Sequence, residues 1–491
     1  MANGLRNFSC GAAVTAAAAV LIGICNYLTR RELSFQLTQA NFGLLYGSVA
    51  LFNLLISILD CGLNNTLTLR LAQFEAQNDR SGGGRILRKV LVFKIVTAPV
   101  LALVLWFLAE PLCTGYFHYG AGAKLFRIAV LYCLSWQIAQ VSVAALSGLR
   151  AFFLMNLVQF SFYFPSLLLL FFFRGQGAAG AVSCFIFGGF AVVPCAALVL
   201  VLLLRVRQRS GSGGAGEDTS FRGLFTVGKW FLLGNILLTL LASCDMLVTS
   251  GLLGAAAAGV YSIAVAVSMI AAPLTLAANL SLPIIAGSWK RGETGEIRRV
   301  VAGTLAVWSV LFWGGALFFM LFSREVIVLL FSEKFSAGAP ALAVLGTAAL
   351  LNPLTLFFYG VLNGVDEQRR ANLLLLPGVA ANLGAALLLV RSCGIVGAAW
   401  GTFAGYLVAL LLLERKIRTR VGRPAFPLAV NLVGGLLLGA GGPAALPLAL
   451  GWRVGVWCVC VLLLTLPAGV FIGKFVLRKR TGYGGKDDPA L

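Results

Sequence analysis

The 491-residue chain is 59% hydrophobic and only 11% charged, with a net charge of +21 and a mean hydropathy of +0.93. A soluble domain carries ~25% charged residues, so this sequence encodes too little polar surface for a fold in water. The basic excess lies in short segments between apolar runs. That is how cytoplasmic loops of a membrane protein look, and no nucleic-acid motif accompanies it.

The expected fold is all-α and polytopic, because a bilayer cannot hydrogen-bond a loose backbone and the runs lack the strict alternation of barrel strands. About 14 transmembrane helices are predicted, each run near the ~20 residues that cross a bilayer. They fall near 9–29, 43–67, 90–109, 126–148, 152–173, 178–204, 224–249, 260–286, 300–322, 340–362, 372–390, 394–413, 425–446 and 454–476. The first ends before Arg30 and Arg31 and shows no small-residue cleavage site, so it reads as a retained span. Arg70, Arg80, Arg85, Arg88 and Lys89 open one set of loops, continued by Arg205, Arg207, Arg209, then Lys290, Arg291, Arg298, Arg299, then Arg415 to Arg423. The alternate loops are poorer in Lys and Arg, which places both termini in the cytoplasm. The protein is expected in the inner (plasma) membrane.

After the sixth span, "RQRSGSGGAGEDTS" (207–220) has the composition of a flexible linker. Around it the chain repeats itself. "LSGLRAFFLMNL" at 146 and "LNGVDEQRRANL" at 362 both fit L-x-G-x7-N-L. "NFGLLYGS" at 41 is echoed by "AAGVYSIA" at 257, and "GAAGAV" at 177 by "GIVGAA" at 394. The three pairs share nearly one displacement, which implies two parallel six-helix repeats around a central cavity plus two C-terminal helices. The domains expected are an N-terminal lobe over 1–206, the linker over 207–222, a second lobe over 223–415, and the added helices with a basic tail over 416–491.

At these residues the sequence resembles a known group. "LSFQLTQANFGLLYGSVALFNLLISILDCGLNNTL" (33–67) resembles the second-helix region of polysaccharide and O-antigen flippases. "SCDMLVTSGLLGAAAAGVYSIAVAV" (243–267) and the stretch 329–364 resemble their seventh-to-eighth and tenth helices. The superfamily also includes multidrug antiporters and lipid II flippases. The resemblance implies two helical lobes opening alternately to each side, and an oligosaccharide on polyprenyl pyrophosphate as cargo. A basic first helix, a mark of the lipid II branch, is not evident, since Arg30 and Arg31 fall beyond the first predicted span.

Charges inside a bilayer are costly, at roughly 2.5–3.5 kcal/mol each on insertion scales, and are functional candidates for that reason. Lys94 and Lys229 lie about one turn inside the third and seventh spans and are candidates for binding phosphate, with snorkelling to the headgroups as the alternative. Asp60, in "LDCGLNN", either pairs with Lys94, couples a cation or caps a helix. Asp245 is a gate candidate or a cap for the bend before "SGLLG". Asn53, Gln159, Asn235 and Asn279 are amides able to meet sugar hydroxyls or neighbouring helices. His118, the one histidine, is expected at the surface of an outer loop. Cys113 and Cys393 fall in predicted outer loops, where a disulfide is conceivable.

Enzyme chemistry is not indicated. No Walker A sequence, H-E-x-x-H or paired-carboxylate loop occurs, and the longest predicted outer loops are too short for a glycan polymerase. No cofactor is implied, so transport would draw on a Na+ or H+ gradient, the membrane potential or substrate supply. The expected partners are the lipid-linked oligosaccharide, membrane lipids and a glycan polymerase or glycosyltransferase. The rival within the superfamily is a multidrug/cation antiporter or a lipid II-type flippase; the rival of another class is a non-transporting membrane scaffold.

Overall fold

The computed structural model describes residues 2–77, 79–208, 221–269, 285–289, 291–422 and 428–480. Among them there are helices and turns but no strand. The principal helices are α1 (Ala2–Gln36), α2 (Gln39–Leu59), α3 (Leu63–Ala76), α4 (Arg80–Phe107), α5 (Ala123–Val130), α6 (Tyr132–Gly148), α7 (Phe152–Phe172), α8 (Gly177–Gly189), α9 (Val192–Gln208) and α10 (Phe221–Ser268). They continue with α11 (Thr294–Leu330), α12 (Ala339–Gly364), α13 (Gln368–Cys393), α14 (Ile395–Arg420), α15 (Leu428–Leu436) and α16 (Leu450–Arg480). Eleven described helical stretches are long and apolar enough to cross a membrane. The predicted spans 260–286 and 425–446 run partly over residues 270–284 and 423–427, which lie outside the described residues, as does most of the linker.

Two departures from the predicted spans matter for the site. The span expected over 43–67 is divided at Asp60–Gly62, where Cys61 (φ 52°) and Gly62 (φ 71°) turn left-handed between α2 and α3. The spans expected from 224 and from 260 run together in α10, interrupted only at Gly254 (φ 80°).

The chain forms two compact units, Met1–Ser262 with Leu330–Ser332, and Ile263–Leu329 with Glu333–Leu491. In the first, the pattern of a soluble protein is inverted along α4. Val92, Ile95, Val96, Val100 and Leu103 are more than half exposed or close to it, whereas Lys94 is 1% exposed. Lipid tails solvate the former; an ionic side chain has to find its partner inside.

Along its length α2 packs antiparallel to α10 through small residues. A Cβ on Gly43 would fall 2.3 Å from the Gly259 nitrogen, and one on Gly259 would fall 2.0 Å from the Gln39 carbonyl oxygen. At the other end a Cβ on Gly62 would lie 2.3 Å from the Gly228 carbonyl oxygen. Glycine is required at these crossings because backbone meets backbone, the usual basis of close helix packing in membranes. Between the crossings, Ser57 and Thr239 hydroxyls share a hydrogen bond (3.1 Å), and Asn65 Nδ2 donates to Asn235 Oδ1 (3.0 Å).

In the second unit α12, α13 and α14 form one bundle, and Glu367 is paired with Arg370 (3.0 Å) and with Arg420. The C-terminal helices dock on α11. Trp313 Nε1 donates to Asn431 Oδ1 (3.2 Å), Trp457 Nε1 to the Gly314 carbonyl (2.8 Å), and Arg453 to the Leu321 carbonyl (2.7 Å).

The recurring L-x-G-x7-N-L pattern has a local cause. Arg150 (φ 57°) and Asp366 (φ 60°) are both left-handed. The Ala151 N–H donates to the Leu146 carbonyl and the Glu367 N–H to the Leu362 carbonyl, each at 2.9 Å. This six-to-one bond is the Schellman helix stop. The conserved letters mark the leucine whose carbonyl accepts, the glycine that ends the helix, and an asparagine buried in the next one, Asn156 or Asn372. The second echo also holds in the backbone: Gly177 (φ 74°) and Gly394 (φ 58°) open α8 and α14.

Candidate functional site

Asp60 ends α2, and its position there explains its two contacts. Its Oδ2 accepts from the Asn64 N–H (3.3 Å) at the start of α3, so the carboxylate caps the helix that the left-handed turn begins. Its Oδ1 lies 2.6 Å from Lys94 Nζ on α4, both side chains almost wholly buried. Lys94 also donates to Gln137 Oε1 on α6 (3.5 Å). Of the alternatives open for Asp60 in the sequence, pairing with Lys94 and capping are the two seen. The ammonium is committed within the first unit.

Lys229 has a different setting. It is exposed, with its ammonium 5.9 Å from the Trp230 ring centroid, as a snorkelling lysine would be. Asp245 is buried, and its Oδ2 accepts from the Tyr261 hydroxyl at 2.6 Å. Those residues lie on either side of the Gly254 break, so the carboxylate staples the two arms of α10 together. Asn53 and Gln159 are half-buried, Asn235 is bonded to Asn65, and Asn279 lies outside the described residues. Cys113 and Cys393 are both free thiols. Burial pushes the Cys113 thiol up to about 11.

Two features were missed from the sequence. The first is a clasp formed by residues 112–122. Tyr116 Oη donates to the Leu247 carbonyl (2.6 Å), Tyr119 Oη to Asn41 Oδ1 (3.0 Å), and the Ala255 N–H to the Phe117 carbonyl (2.9 Å). His118 Nε2 bonds the Gly251 carbonyl (3.0 Å), so this surface histidine is also docked on the α10 break. Burial pushes the Tyr116 phenol up to about 12, which keeps it a donor at ordinary pH.

The second is Arg30. α1 continues to Gln36, so Arg30 lies inside the helix and not beyond it, a correction to the expected first span. Its guanidinium carbon sits 4.4 Å from the centroid of the Tyr46 ring, a cation–π contact. Its Nε is buried and bonded to nothing, and no carboxylate forms an ion pair with it among the described residues. Glu32, two residues on, is taken by Arg174 (2.6 Å). On α6 and α7 the Tyr132 and Trp136 rings stack at 5.6 Å and 17°, and Phe162 closes on both edge-on. The sequence signal was Thr38, whose side chain caps α2 by accepting from the Asn41 N–H; a cap there implies that the preceding helix runs on to its edge.

Residues 36–340 match the family model described as polysaccharide biosynthesis protein, and the chain belongs to that family. It is also 22% identical over 407 residues to an uncharacterized membrane protein of Methanocaldococcus jannaschii, with 78% of each chain covered. Its fold is that of the MOP superfamily of membrane transporters. It is similar to the lipid II flippase MurJ in an inward closed conformation (TM-score 0.68, 11% identity, 94% of this chain and 99% of that one). It is similar, too, to an inward-facing multidrug resistance MATE family transporter (0.66, 15%, 84% and 98%). A third likeness is to a Pyrococcus furiosus MOP transporter described by the reverse polarity of its binding pocket (0.61, 16%, 85% and 95%). The chain is thus a multi-pass membrane protein that shares its fold with transporters and a flippase.

Proposed function

We propose that the chain is an alternating-access transporter that carries a polyprenyl-pyrophosphate-linked oligosaccharide from the inner to the outer leaflet, with both termini in the cytoplasm. The observation that carries this reading is the polarity of the interior. The buried carboxylates Asp60, Asp245 and Glu367 are each engaged by a donor, whereas the half-buried Arg30 has no ion-pair partner among the described residues and its Nε is buried without an acceptor. A cation resting on a tyrosine ring, with no carboxylate partner among the described residues, suits an anionic glycan better than a cationic drug. The family's description as polysaccharide biosynthesis supports the same cargo, and the reverse polarity of the binding pocket described for the Pyrococcus protein supports a pocket whose charge differs among proteins of this fold. Lys94 and Lys229 are proposed as phosphate contacts, Lys94 only after leaving Asp60. Asn53, Gln159 and Asn235 are proposed for sugar hydroxyls. A Na+ or H+ gradient is the proposed drive, and a glycan polymerase or glycosyltransferase the proposed partner.

The solved structures taken alone favour a second reading, a multidrug/cation antiporter or a lipid II-type flippase, since those are the proteins whose fold is matched. The two readings separate in proteoliposomes. A fluorescent lipid-linked oligosaccharide in the inner leaflet should become accessible to an external quencher only when the protein is present. Gradient-driven ethidium efflux without any flipping would establish the antiporter instead.

A further inference from the structure

We propose that His118 makes the clasp over residues 112–122 responsive to protons: the charged imidazolium grips the turn of α10 more firmly than the neutral ring, so acid tightens the clasp. The device is independent of the cargo carried.

The clasp stands in for hydrogen bonds that α10 gives up at its turn. In an unbroken helix the Ala255 N–H would donate to the Gly251 carbonyl. With Gly254 left-handed (φ 80°), the Ala255 N–H donates to the Phe117 carbonyl at 2.9 Å instead, and the Gly251 carbonyl is met by His118 Nε2 at 3.0 Å. Tyr116 Oη adds a bond to the Leu247 carbonyl at 2.6 Å. The seat is cut for this segment. A Cβ on Gly254 would fall 3.3 Å from the Phe117 carbonyl oxygen and 3.4 Å from His118 Cβ, and one on Gly251 would fall 2.7 Å from the Tyr116 ring. On α2 a Cβ at Gly47 would fall 2.9 Å from the Phe117 ring. His118 is itself left-handed (φ 50°), a backbone state that a residue other than glycine keeps only where its surroundings hold it.

A carbonyl can only accept, so Nε2 carries the hydrogen, and Nδ1 is where the neutral ring takes up a further proton. Protonation turns a neutral donor into a charge-assisted one, roughly twice as strong. It also sets a positive charge against the carbonyl end of the first arm of α10, where the helix dipole favours it. The other ionisable groups on the clasp are Cys113 and Tyr116, pushed up to about 11 and about 12, and Tyr119, bonded to Asn41. From α2 comes Tyr46, and from α10 over 245–268 come Asp245 and Tyr261, bonded to each other. The charges next along the chain are Lys124 and the Glu110–Arg127 pair (2.7 Å). An imidazole is the side chain whose charge changes between about pH 5 and 8, and this chain has one histidine.

The test follows hydrogen exchange over residues 247–255 of the full chain in phosphatidylcholine nanodiscs, at about pH 5.5 and about pH 7.5. Each rate is divided by that of His118→Gln at the same pH, so that the intrinsic chemistry of exchange cancels; Gln keeps a neutral N–H donor. At the lower pH the native chain should exchange about threefold more slowly than the variant, the effect of a histidinium at an exposed helix end. At the higher pH the two should nearly agree. Tyr116→Phe, which removes a bond made by a neutral donor at both pH values, should quicken exchange by a similar factor at each. A native-to-variant ratio that does not change with pH, or greater protection at the higher pH, would overturn the proposal and leave His118 a plain structural contact. Where His118→Gln is not recovered folded, His118→Asn, which tolerates left-handed backbone, takes its place in the comparison. Exchange is read without cargo, so a negative result leaves the transport reading standing, and a chain that flips nothing leaves the clasp standing.

Discussion

The first unit holds Lys94 buried and Arg30 half-buried, and the two basic side chains are held in opposite ways. Lys94 has a carboxylate at 2.6 Å and an amide oxygen at 3.5 Å. Arg30 has an aromatic face at 4.4 Å and no ion-pair partner among the described residues. The difference follows from side-chain chemistry. An ammonium is a compact, strongly hydrated charge that must be neutralised when buried, whereas a guanidinium is weakly hydrated and tolerates a π-face in place of water. Lys94 is therefore spent on holding α2, α3, α4 and α6 together, while Arg30 retains its hydrogen-bonding edge. Burial of a charge is by itself a poor guide to function. What matters is whether the chain has already answered it.

The largest effect expected from this contrast is at the ion pair. Lys94→Ala leaves Asp60 buried and uncompensated, a change that costs about 3–5 kcal/mol in buried pairs, and should lower the melting temperature sharply in detergent. Removing both charges while keeping the cap, as Asp60→Asn with Lys94→Met, should bring stability back to near the native value, because the paired charges mostly repay their own desolvation. A double variant as unstable as Lys94→Ala would mean that the pair has a role that the packing does not reveal.

A smaller loss is expected at the second paired carboxylate. Tyr261→Phe removes a charge-assisted hydrogen bond at 2.6 Å, of a kind contributing about 1.5–3 kcal/mol. The damage should be local to the Gly254 break, seen as faster hydrogen exchange over residues 245–261 with α4 and α6 unchanged. Exchange that quickens equally across the whole first unit would show that the staple and the Lys94 pair are one network instead of two.

How much of this was legible beforehand depended on whether the signal was local. The apolar runs gave the helices, and the helix stops at Gly148 and Gly364 are written in four or five adjacent residues. The Asp60–Lys94 pairing was open from sequence because two opposite charges within spans have few other partners. Asp245 was visible as a charge, but its partner Tyr261 lies beyond a left-handed glycine that only the folded backbone reveals. Arg30 was assigned to a loop because an Arg-Arg pair after an apolar run usually marks the membrane edge. It sits on the Tyr46 ring of α2, a contact between two helices that no spacing rule within one of them reveals. His118 was placed at the surface correctly, yet its docking on Gly251 depends on the break in α10.

The smallest stability effect is expected at Arg30 itself, and it is the sharpest test of the comparison. Arg30→Gln gives up a cation–π contact valued at roughly 0.5–2 kcal/mol but also relieves a buried N–H that no protein atom accepts, a cost of about 1–3 kcal/mol. The two terms oppose each other and are of like size, so the melting temperature of the empty protein should barely move. Lys94→Ala, by contrast, removes one partner and strands the other, so its terms add. Both substitutions delete one interior positive charge from the same unit, and a bulk electrostatic effect would make them alike. Melting curves measured side by side in the same detergent decide it: a loss at Arg30 approaching that at Lys94 would make the guanidinium a structural group like the ammonium, and would remove the ground for reading it as held in reserve.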